Sequence, residues 1–132
     1  MTTSFLYLIT LSMKPYQDAR VEGEKLAKQY AELEQADQVD FYNGLEGYYS
    51  VLGHNKKQEA IAVLIEKNDH KIYVYQLDKG ISQDKAATIS REKGASDIDK
   101  ITFGRYQDKP IWEVKSGNQY YLVDFETGAV IQ

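Results

Sequence analysis

The chain has 132 residues, of which 42% are hydrophobic and 27% are charged, and its net charge is -4. This balance is typical of one folded domain or two very small ones, and it excludes an intrinsically disordered chain. The acidic charge, without a cluster of lysines or arginines, argues against nucleic-acid binding. Because the sequence has no cysteine, disulfides, thiol catalysis and cysteine-ligated metals are excluded.

An apolar, uncharged run occupies residues 5–13 near the N-terminus. A membrane-spanning helix needs about 20 such residues, so this run is too short to span by itself. It also lacks the basic leader of a signal peptide. Two interpretations stay open, a buried strand or core helix and the outer end of a membrane anchor. Since the following helix is complete without these residues, we favour the second and assign residues 1–14 to an anchor remnant.

A first helix is predicted from Pro15, which fits a first helical turn. Charged residues alternate with an apolar face as far as Glu34, which is the pattern of an amphipathic helix. That face carries Tyr16, Ala19, Gly23, Leu26, Ala27, Tyr30 and Leu33.

Strands follow this helix. Residues 40–52 are interpreted as two strands around the turn signal Asn43-Gly44. Residues 59–66 and 71–77 are interpreted as further strands, separated by turn residues.

A second helix and a three-stranded antiparallel meander form the last part of the chain. Ser82 is the expected N-cap, Asp84 complements the helix dipole, and Gly94 is placed to end the helix in a left-handed conformation. Trp112, the only tryptophan of the sequence, falls in the central strand and is the expected core residue of this part.

The order of helix and strands therefore occurs twice. Residues 48–51 match residues 111–114, and residues 62–72 match residues 120–130. Such self-similarity predicts two copies of one small unit.

Several segments resemble a known family. Residues 80–87 are similar to the helix start of PepSY-type domains, and residues 111–114 and 121–131 resemble that family's strands. Residues 37–51 further resemble the YpmB/TseB-like cell-wall elongation regulators of Gram-positive bacteria, which are built from two such units.

The resemblance implies an α+β fold of two tandem cystatin-like, PepSY-like units, each with one helix packed on a three-stranded antiparallel sheet. We place these units at residues 15–79 and 80–132. It also implies a single-pass membrane protein whose globular part is extracytoplasmic and which regulates cell-wall elongation through a penicillin-binding transpeptidase. The family supplies no catalytic residue and no cofactor, and we expect a monomer.

The histidines and aspartates of the sequence give little support for a metal site. His54 and His70 fall in or beside expected loops, without the convergent ligands that a zinc site needs. Asp97 and Asp99 could contact a divalent cation, but the rest of a calcium loop is missing. We therefore predict no metal site.

Glu113 and Asp124 are the candidates for acid–base catalysis, because they fall on strands that could be neighbours. Paired carboxylates do such work when their environments drive their pKa values apart. Both strand positions look solvent-facing, which argues against this role. The sequence also lacks a phosphate-binding loop and a nucleophile elbow, so we predict that the protein is not an enzyme.

Of the 11 tyrosines, eight fall on or near the expected strands, including the adjacent pairs Tyr48/Tyr49 and Tyr120/Tyr121. Alternation should turn one member of each adjacent pair under a helix and the other outward. Structural packing is the default interpretation, and an outward aromatic surface for a protein partner is the alternative. The candidate residues of that surface are Tyr42, Tyr48, Tyr73, Tyr75 and Tyr120.

Three functional hypotheses follow. The leading one is a non-enzymatic interaction module of the cell envelope. The second is a PepSY-type protease inhibitor or propeptide-like chaperone, acting through the loop at Asn43-Gly44 or the loop at residues 54–57. The third is a small-ligand enzyme, which requires a deep pocket with convergent polar groups.

Overall fold

The structure is a computed structural model that describes residues 19–44, 46–68 and 71–131. The chain divides into two compact units, with the boundary between Gln76 and Leu77. Within the described residues, each unit combines one α-helix with one antiparallel sheet. The α+β class predicted from the sequence is therefore confirmed.

The first unit has its helix before its strands. Its elements are α1 (Ala19–Tyr30), β1 (Leu33–Asn43), β2 (Gly47–Asn55), β3 (Ala60–Glu66) and β4 (Ile72–Gln76). The strands lie in the sheet in the same order as in the chain, and neighbours are antiparallel.

The first helix ends earlier than the sequence pattern predicted. Glu32 adopts a left-handed φ of 59°, which stops the helix, and Leu33 starts β1 opposite Asn55. The predicted helical positions from Glu32 to Glu34 were therefore wrong. Pro15, Tyr16 and the apolar run at residues 5–13 lie outside the described residues.

The sheet of the first unit has four strands in the described part of the chain, not the three that the family resemblance implied. The strand pattern of the sequence itself predicted four, two within residues 40–52 and one each at residues 59–66 and 71–77. β1 is longer than predicted, because it starts at Leu33 and runs for 11 residues along β2. Two shifts in register interrupt this pairing, between Leu33 and Gln35 and between Ala36 and Gln38.

The core of the first unit lies between α1 and one face of the sheet. Leu26 and Ala27 of the helix are buried against alternate residues of the central strands, as period-2 alternation requires. The strand residues of this core include Tyr49, Val51, Ile61, Val63, Ile65 and Ile72.

The second unit begins with a short 3₁₀ turn and continues as helix and meander. Its elements are the 3₁₀ turn Leu77–Lys79, α2 (Gln83–Glu92), β5 (Lys100–Tyr106), β6 (Lys109–Ser116) and β7 (Gln119–Asp124). The sheet order is β5-β6-β7, with β6 in the centre.

Both ends of α2 follow the sequence signals. Ser82 is the N-cap, as predicted, because its Oγ accepts a hydrogen bond from the Lys85 backbone N–H at 3.0 Å. Gly94 follows the helix with a φ of 114°. A residue with positive φ at this place ends a helix, as predicted for Gly94.

Trp112 anchors the core of the second unit, as predicted. Its side chain is 2% exposed and makes edge-to-face contacts with Phe103 and Phe125, with ring centroids 5.0 and 6.4 Å away. Edge-to-face packing of three aromatic rings adds to the stabilisation that burial alone provides.

Matching positions of the two units share a strand register. In the first unit Tyr49 lies opposite Ile65, and in the second Trp112 lies opposite Val123. These are the residues that the alignment of the two halves made equivalent. Tyr49 packs in the core between α1 and the first sheet. The Trp112 indole N–H donates a hydrogen bond to the Ile81 carbonyl, in the segment that leads into α2.

The register agreement extends to the edge of each sheet. Ile65 pairs with Ile72 on β4, and Val123 pairs with Val130 through an isolated antiparallel bridge. The second unit therefore has a single bridge where the first has a full fourth strand.

In residues 19–44, 46–68 and 71–131, every helix is too short or too polar to span a lipid bilayer.

Candidate partner-binding surface

Two of the five candidate tyrosines are buried. Tyr42 and Tyr48 lie opposite each other on β1 and β2, each is 2% exposed, and their ring centroids are 6.3 Å apart. Both point to the sheet face away from α1, where Leu52 and Leu64 are also buried. The expectation that these tyrosines face outward was wrong, because the second face of this sheet is apolar too.

Tyr73 and Tyr75 lie on β4, at the edge of the first sheet, and both are half-buried. Tyr73 makes an edge-to-face contact with Tyr48 at 6.3 Å between ring centroids. Four of the five candidates therefore belong to one partly or fully buried aromatic layer of the first unit.

Tyr120 is the candidate that the structure places in solvent. It is 54% exposed, whereas its neighbour Tyr121 is only partly exposed. A Cβ added at Gly94, at the end of α2, would lie 3.6 Å from the Tyr121 hydroxyl. Tyr121 therefore lies on the helix side of the sheet and Tyr120 points outward, as expected for an adjacent pair on a strand.

Two lysines share the strand positions beside Tyr120. Lys115 on β6 lies directly opposite Tyr120, and Lys100 on β5 lies directly opposite Lys115. Directly opposed residues point to the same sheet face, so the three form one line across the sheet. We refer to Lys100, Lys115 and Tyr120 as the Lys-Lys-Tyr row.

Glu113 occupies the next line along the same face. It lies between Thr102 and Leu122, both of which are buried. Burial raises the pKa of the Glu113 carboxyl above its ordinary value, and the positive charge of Lys100 partly offsets this. In the line next to the Lys-Lys-Tyr row, the second sheet places one carboxylate on this face, that of Glu113.

Asp124 is not directly opposite Glu113 in the sheet. It lies opposite Ile111 and is 6% exposed, so the expected solvent-facing position was wrong. Its Oδ1 accepts hydrogen bonds from the backbone N–H groups of Glu126 and Thr127, at 2.8 and 3.1 Å. Asp124 stabilises the turn after β7, which explains its burial.

His54 and the Asp97–Asp99 segment have structural contacts. His54 Nδ1 lies 2.8 Å from Asp37 Oδ2, and His70 is outside the described residues. Asp99 Oδ2 accepts from the Gly117 backbone N–H at 2.9 Å. In residues 19–44, 46–68 and 71–131, no three His, Asp or Glu side chains are grouped to hold a metal ion.

The β2–β3 hairpin loop is stiffened by one side chain. Asn55 Oδ1 accepts from the backbone N–H groups of Lys57 and Glu59, and Asn55 Nδ2 donates to Glu59 Oε1 at 2.8 Å. Gln58 completes the loop with a left-handed φ of 67°. The exposed Lys56 and Lys57 are thus presented on a fixed backbone.

An open depression along α1 is lined by Glu24, Lys25, Lys28 and Gln29. Lys28 forms an ion pair with Glu24 at 2.9 Å, one helical turn away. These flexible polar side chains come from one helix face and do not converge as the groups of an enzyme site do.

Comparison with known proteins gives a consistent result. Residues 22–66 match the family model of the cell wall elongation regulator TseB-like domain. Over 143 aligned residues the chain is 34% identical to "Probable cell wall elongation regulator TseB" of Bacillus subtilis (strain 168), covering 97% of this chain and 88% of that protein. The chain belongs to the TseB-like family of cell wall elongation regulators.

A solved structure supports this membership of the TseB-like family. The YpmB protein from Bacillus subtilis superposes with a TM-score of 0.75 at 32% identity, over 88% of this chain and 96% of that chain. The recognition made from the sequence is confirmed. The TseB-like family model spans most of α1 and β1 to β3, so it includes the β2–β3 hairpin loop, whereas the Lys-Lys-Tyr row lies in the second unit.

Proposed function

We propose that this protein is a non-enzymatic, extracytoplasmic interaction module that regulates cell-wall elongation by binding a penicillin-binding transpeptidase. The observation that carries the proposal is the 34% identity, over 97% of the chain, to a protein named as a cell wall elongation regulator. A regulator of synthesis needs a surface for the synthetic machinery, and exposed side chains of the second unit offer one.

The non-enzymatic role is supported by the surroundings of the ionisable groups. Asp124 is engaged by two backbone N–H groups, and Glu113 stands in a line with Thr102 and Leu122. Among the described residues, the cross-strand neighbours of Glu113 are Thr102 and Leu122 and that of Asp124 is Ile111, so neither carboxyl is paired across the sheet with a second carboxyl.

The architecture we propose is a tandem pair of cystatin-like, PepSY-like units at residues 15–79 and 80–132. The shared register supports it, since Tyr49 and Trp112 hold equivalent positions opposite Ile65 and Val123. The additional strand of the first unit is an elaboration of the same order of helix and strands.

We further propose that residues 1–14 are the outer end of a single-pass membrane anchor and that the globular part acts outside the cell as a monomer. The apolar, uncharged character of residues 5–13 supports the tether. Of the five candidate tyrosines, the proposal retains Tyr120 as a direct contact, because its ring is exposed.

The test is genetic and biochemical. Deletion of the encoding gene should slow or misplace cell-wall growth, and the tethered full-length protein should co-purify a penicillin-binding transpeptidase after mild cross-linking. Unchanged wall growth in the deletion strain, together with no transpeptidase in the purified complex, would remove the proposal.

A second candidate function, inhibition of an envelope protease, is favoured by one observation. Asn55 holds the β2–β3 loop in a fixed conformation with Lys56 and Lys57 exposed at its tip, and a rigid loop loses little entropy on entering a cleft. Protease activity should then fall on addition of the chain, and Asn55→Ala should weaken the inhibition. No inhibition by the wild-type chain would dismiss this candidate.

A further inference from the structure

We propose that the Lys-Lys-Tyr row of the second unit is the docking site for an acidic, amphipathic helix of the protein partner. This inference rests on the proposed function for the existence of a partner, and it adds the site and the chemistry of the segment that binds there. It is based on register, charge and exposure in the described residues.

The two lysines place two positive charges on one line of the second sheet. Lys100 and Lys115 lie directly opposite each other on neighbouring strands, and like charges in this position destabilise a sheet. The chain as a whole is acidic, with a net charge of -4. The row is thus a local positive site on an acidic protein, with Glu113 in the next line as the carboxylate that Lys100 acts on.

Lys115 is the central cation of the row. It lies on the middle strand, half-buried, and no ion pair among the described residues includes its ammonium. A long lysine side chain in such a position extends its stem along the sheet and presents its charge at the surface. Lys100 adds a second positive charge one strand away.

Tyr120 supplies the apolar end of the row. It is one of two large hydrophobic side chains in the described chain that are substantially exposed, the other being Ile131. Tyrosine is enriched where proteins meet, because its ring packs while its hydroxyl remains hydrated. A partner that covers the row therefore needs carboxylates at one end and an apolar group at the other.

The spacing of the row fits a helix better than an extended segment. Neighbouring strands are about 4.8 Å apart, so the row presents side chains at about 0, 4.8 and 9.6 Å. A helix places residues i, i+4 and i+7 on one face at axial distances of about 0, 6 and 10.5 Å. An extended strand places same-face residues at about 0, 6.7 and 13.4 Å, which overshoots the tyrosine.

The charge pattern also favours a protein segment over a continuous polyanion. Glu113 lies in the adjacent line of the same face, where its carboxylate repels further negative charge. Two carboxylates one helical turn apart can lie over the two lysines without covering Glu113. A phosphate polymer or an anionic bilayer would instead bring negative charge over the whole face, including Glu113. We infer an occupant with Asp or Glu at positions i and i+4 and an apolar residue at i+7.

The experiment uses a designed helical peptide with Glu at i and i+4 and Leu at i+7, titrated into the intact chain while its amide and methyl NMR signals are followed. We expect shifts centred on Lys115 and Tyr120. The double variant Lys100→Glu/Lys115→Glu should weaken binding about tenfold, and a peptide with Lys in place of both Glu residues should restore it.

Matched controls separate the row from net charge. Lys79→Glu/Lys85→Glu changes the charge of the same unit equally at two exposed positions, and it should leave peptide affinity within about twofold. Tyr120→Ala should weaken binding without altering its salt dependence. A peptide with Gln at both acidic positions should bind far more weakly than the parent peptide.

Several outcomes would overturn the proposal. These are absence of binding by the acidic peptide, equal binding by the Lys100→Glu/Lys115→Glu variant, and binding of inorganic polyphosphate or phosphatidylglycerol vesicles at the row in place of the peptide. A purified transpeptidase that binds the wild type and this variant equally also rejects the row while leaving the proposed function standing. A transpeptidase that binds neither rejects the proposed function, and the peptide titration then decides the row alone.

Discussion

The indole Nε1 of Trp112 donates a hydrogen bond to the backbone carbonyl of Ile81 at 3.0 Å. This bond ties the central strand of the second sheet to the segment that leads into α2. The Ile81 backbone N–H in turn donates to the Phe125 carbonyl at 2.8 Å, so the segment is held from both sides. The helix start is therefore fixed by the core rather than by its N-cap alone.

Replacement of Trp112 by Phe should destabilise the second unit by about 2 kcal/mol, because the Ile81 carbonyl loses its donor and the smaller ring leaves a void. Urea unfolding followed by far-UV circular dichroism measures the change. Tyr120→Phe, at an exposed position of the same sheet, is the control and should stay within about 0.5 kcal/mol. Equal stability of Trp112→Phe and wild type would contradict the role given to this bond.

Gly53 should not tolerate a side chain. A Cβ at this position would collide with the carbonyl oxygen of Gln35 and lie 2.8 Å from Leu33 Cδ1, where β1 changes register against β2. Gly53→Ala should therefore cost about 2 kcal/mol or more in the free energy of unfolding. Gly117→Asn is a suitable comparison, since no atom lies within 4 Å of its added Cβ and asparagine accepts a φ of 61°. Similar stability of the two variants would show that β1 does not pack as described.

Ser90 offers a stabilising substitution. Its hydroxyl is fully buried in α2, and within the described residues it has no hydrogen-bond partner. Ser90→Ala removes this unsatisfied group and improves helix propensity, so it should raise stability by about 0.5–1 kcal/mol. The control is Thr88→Ala on the same helix, where an exposed hydroxyl donates to the Asp84 carbonyl at 3.2 Å. A loss of more than 1 kcal/mol in Ser90→Ala would mean that the hydroxyl does have a partner.

Glu113 should make stability depend on pH. Burial raises the pKa of its carboxyl in the folded chain, so the folded state holds this proton more tightly than the unfolded state. Stability is then lost as the pH rises from the unfolded-chain pKa through the raised folded pKa. Glu113→Gln, which resembles the protonated form, should be more stable than wild type at pH 7, and this advantage should disappear in acid below both pKa values. An advantage that persists unchanged in acid would contradict burial as the cause.

Local signals were enough to predict the second unit. Ser82 and Gly94 mark both ends of α2, and the pattern around Trp112 identified a central strand with a core tryptophan. The Lys115–Tyr120 pairing could also have been found, because the two-residue turn Gly117-Asn118 sets the register of the hairpin.

The first unit was harder to predict for physical reasons. Glutamate is not a residue that usually takes a left-handed conformation, so the sequence did not predict a helix end at Glu32. Because the apolar spacing remains helical up to Leu33, the predicted helix was too long. Alternation placed Tyr42 and Tyr48 on the face away from the helix, but it does not report whether that face meets solvent. Burial depends on tertiary contacts, and for this reason Tyr42 and Tyr48 are buried although they lie on the sheet face away from the helix.

The central claim is that the protein acts by binding a transpeptidase of the cell wall. The most direct measurement is a calorimetric titration of the purified chain with the extracytoplasmic part of the penicillin-binding transpeptidase from the same bacterium. We expect saturable one-to-one binding that weakens about tenfold in Lys100→Glu/Lys115→Glu and not in Lys79→Glu/Lys85→Glu. A titration without binding, at concentrations where both proteins are folded, would contradict it.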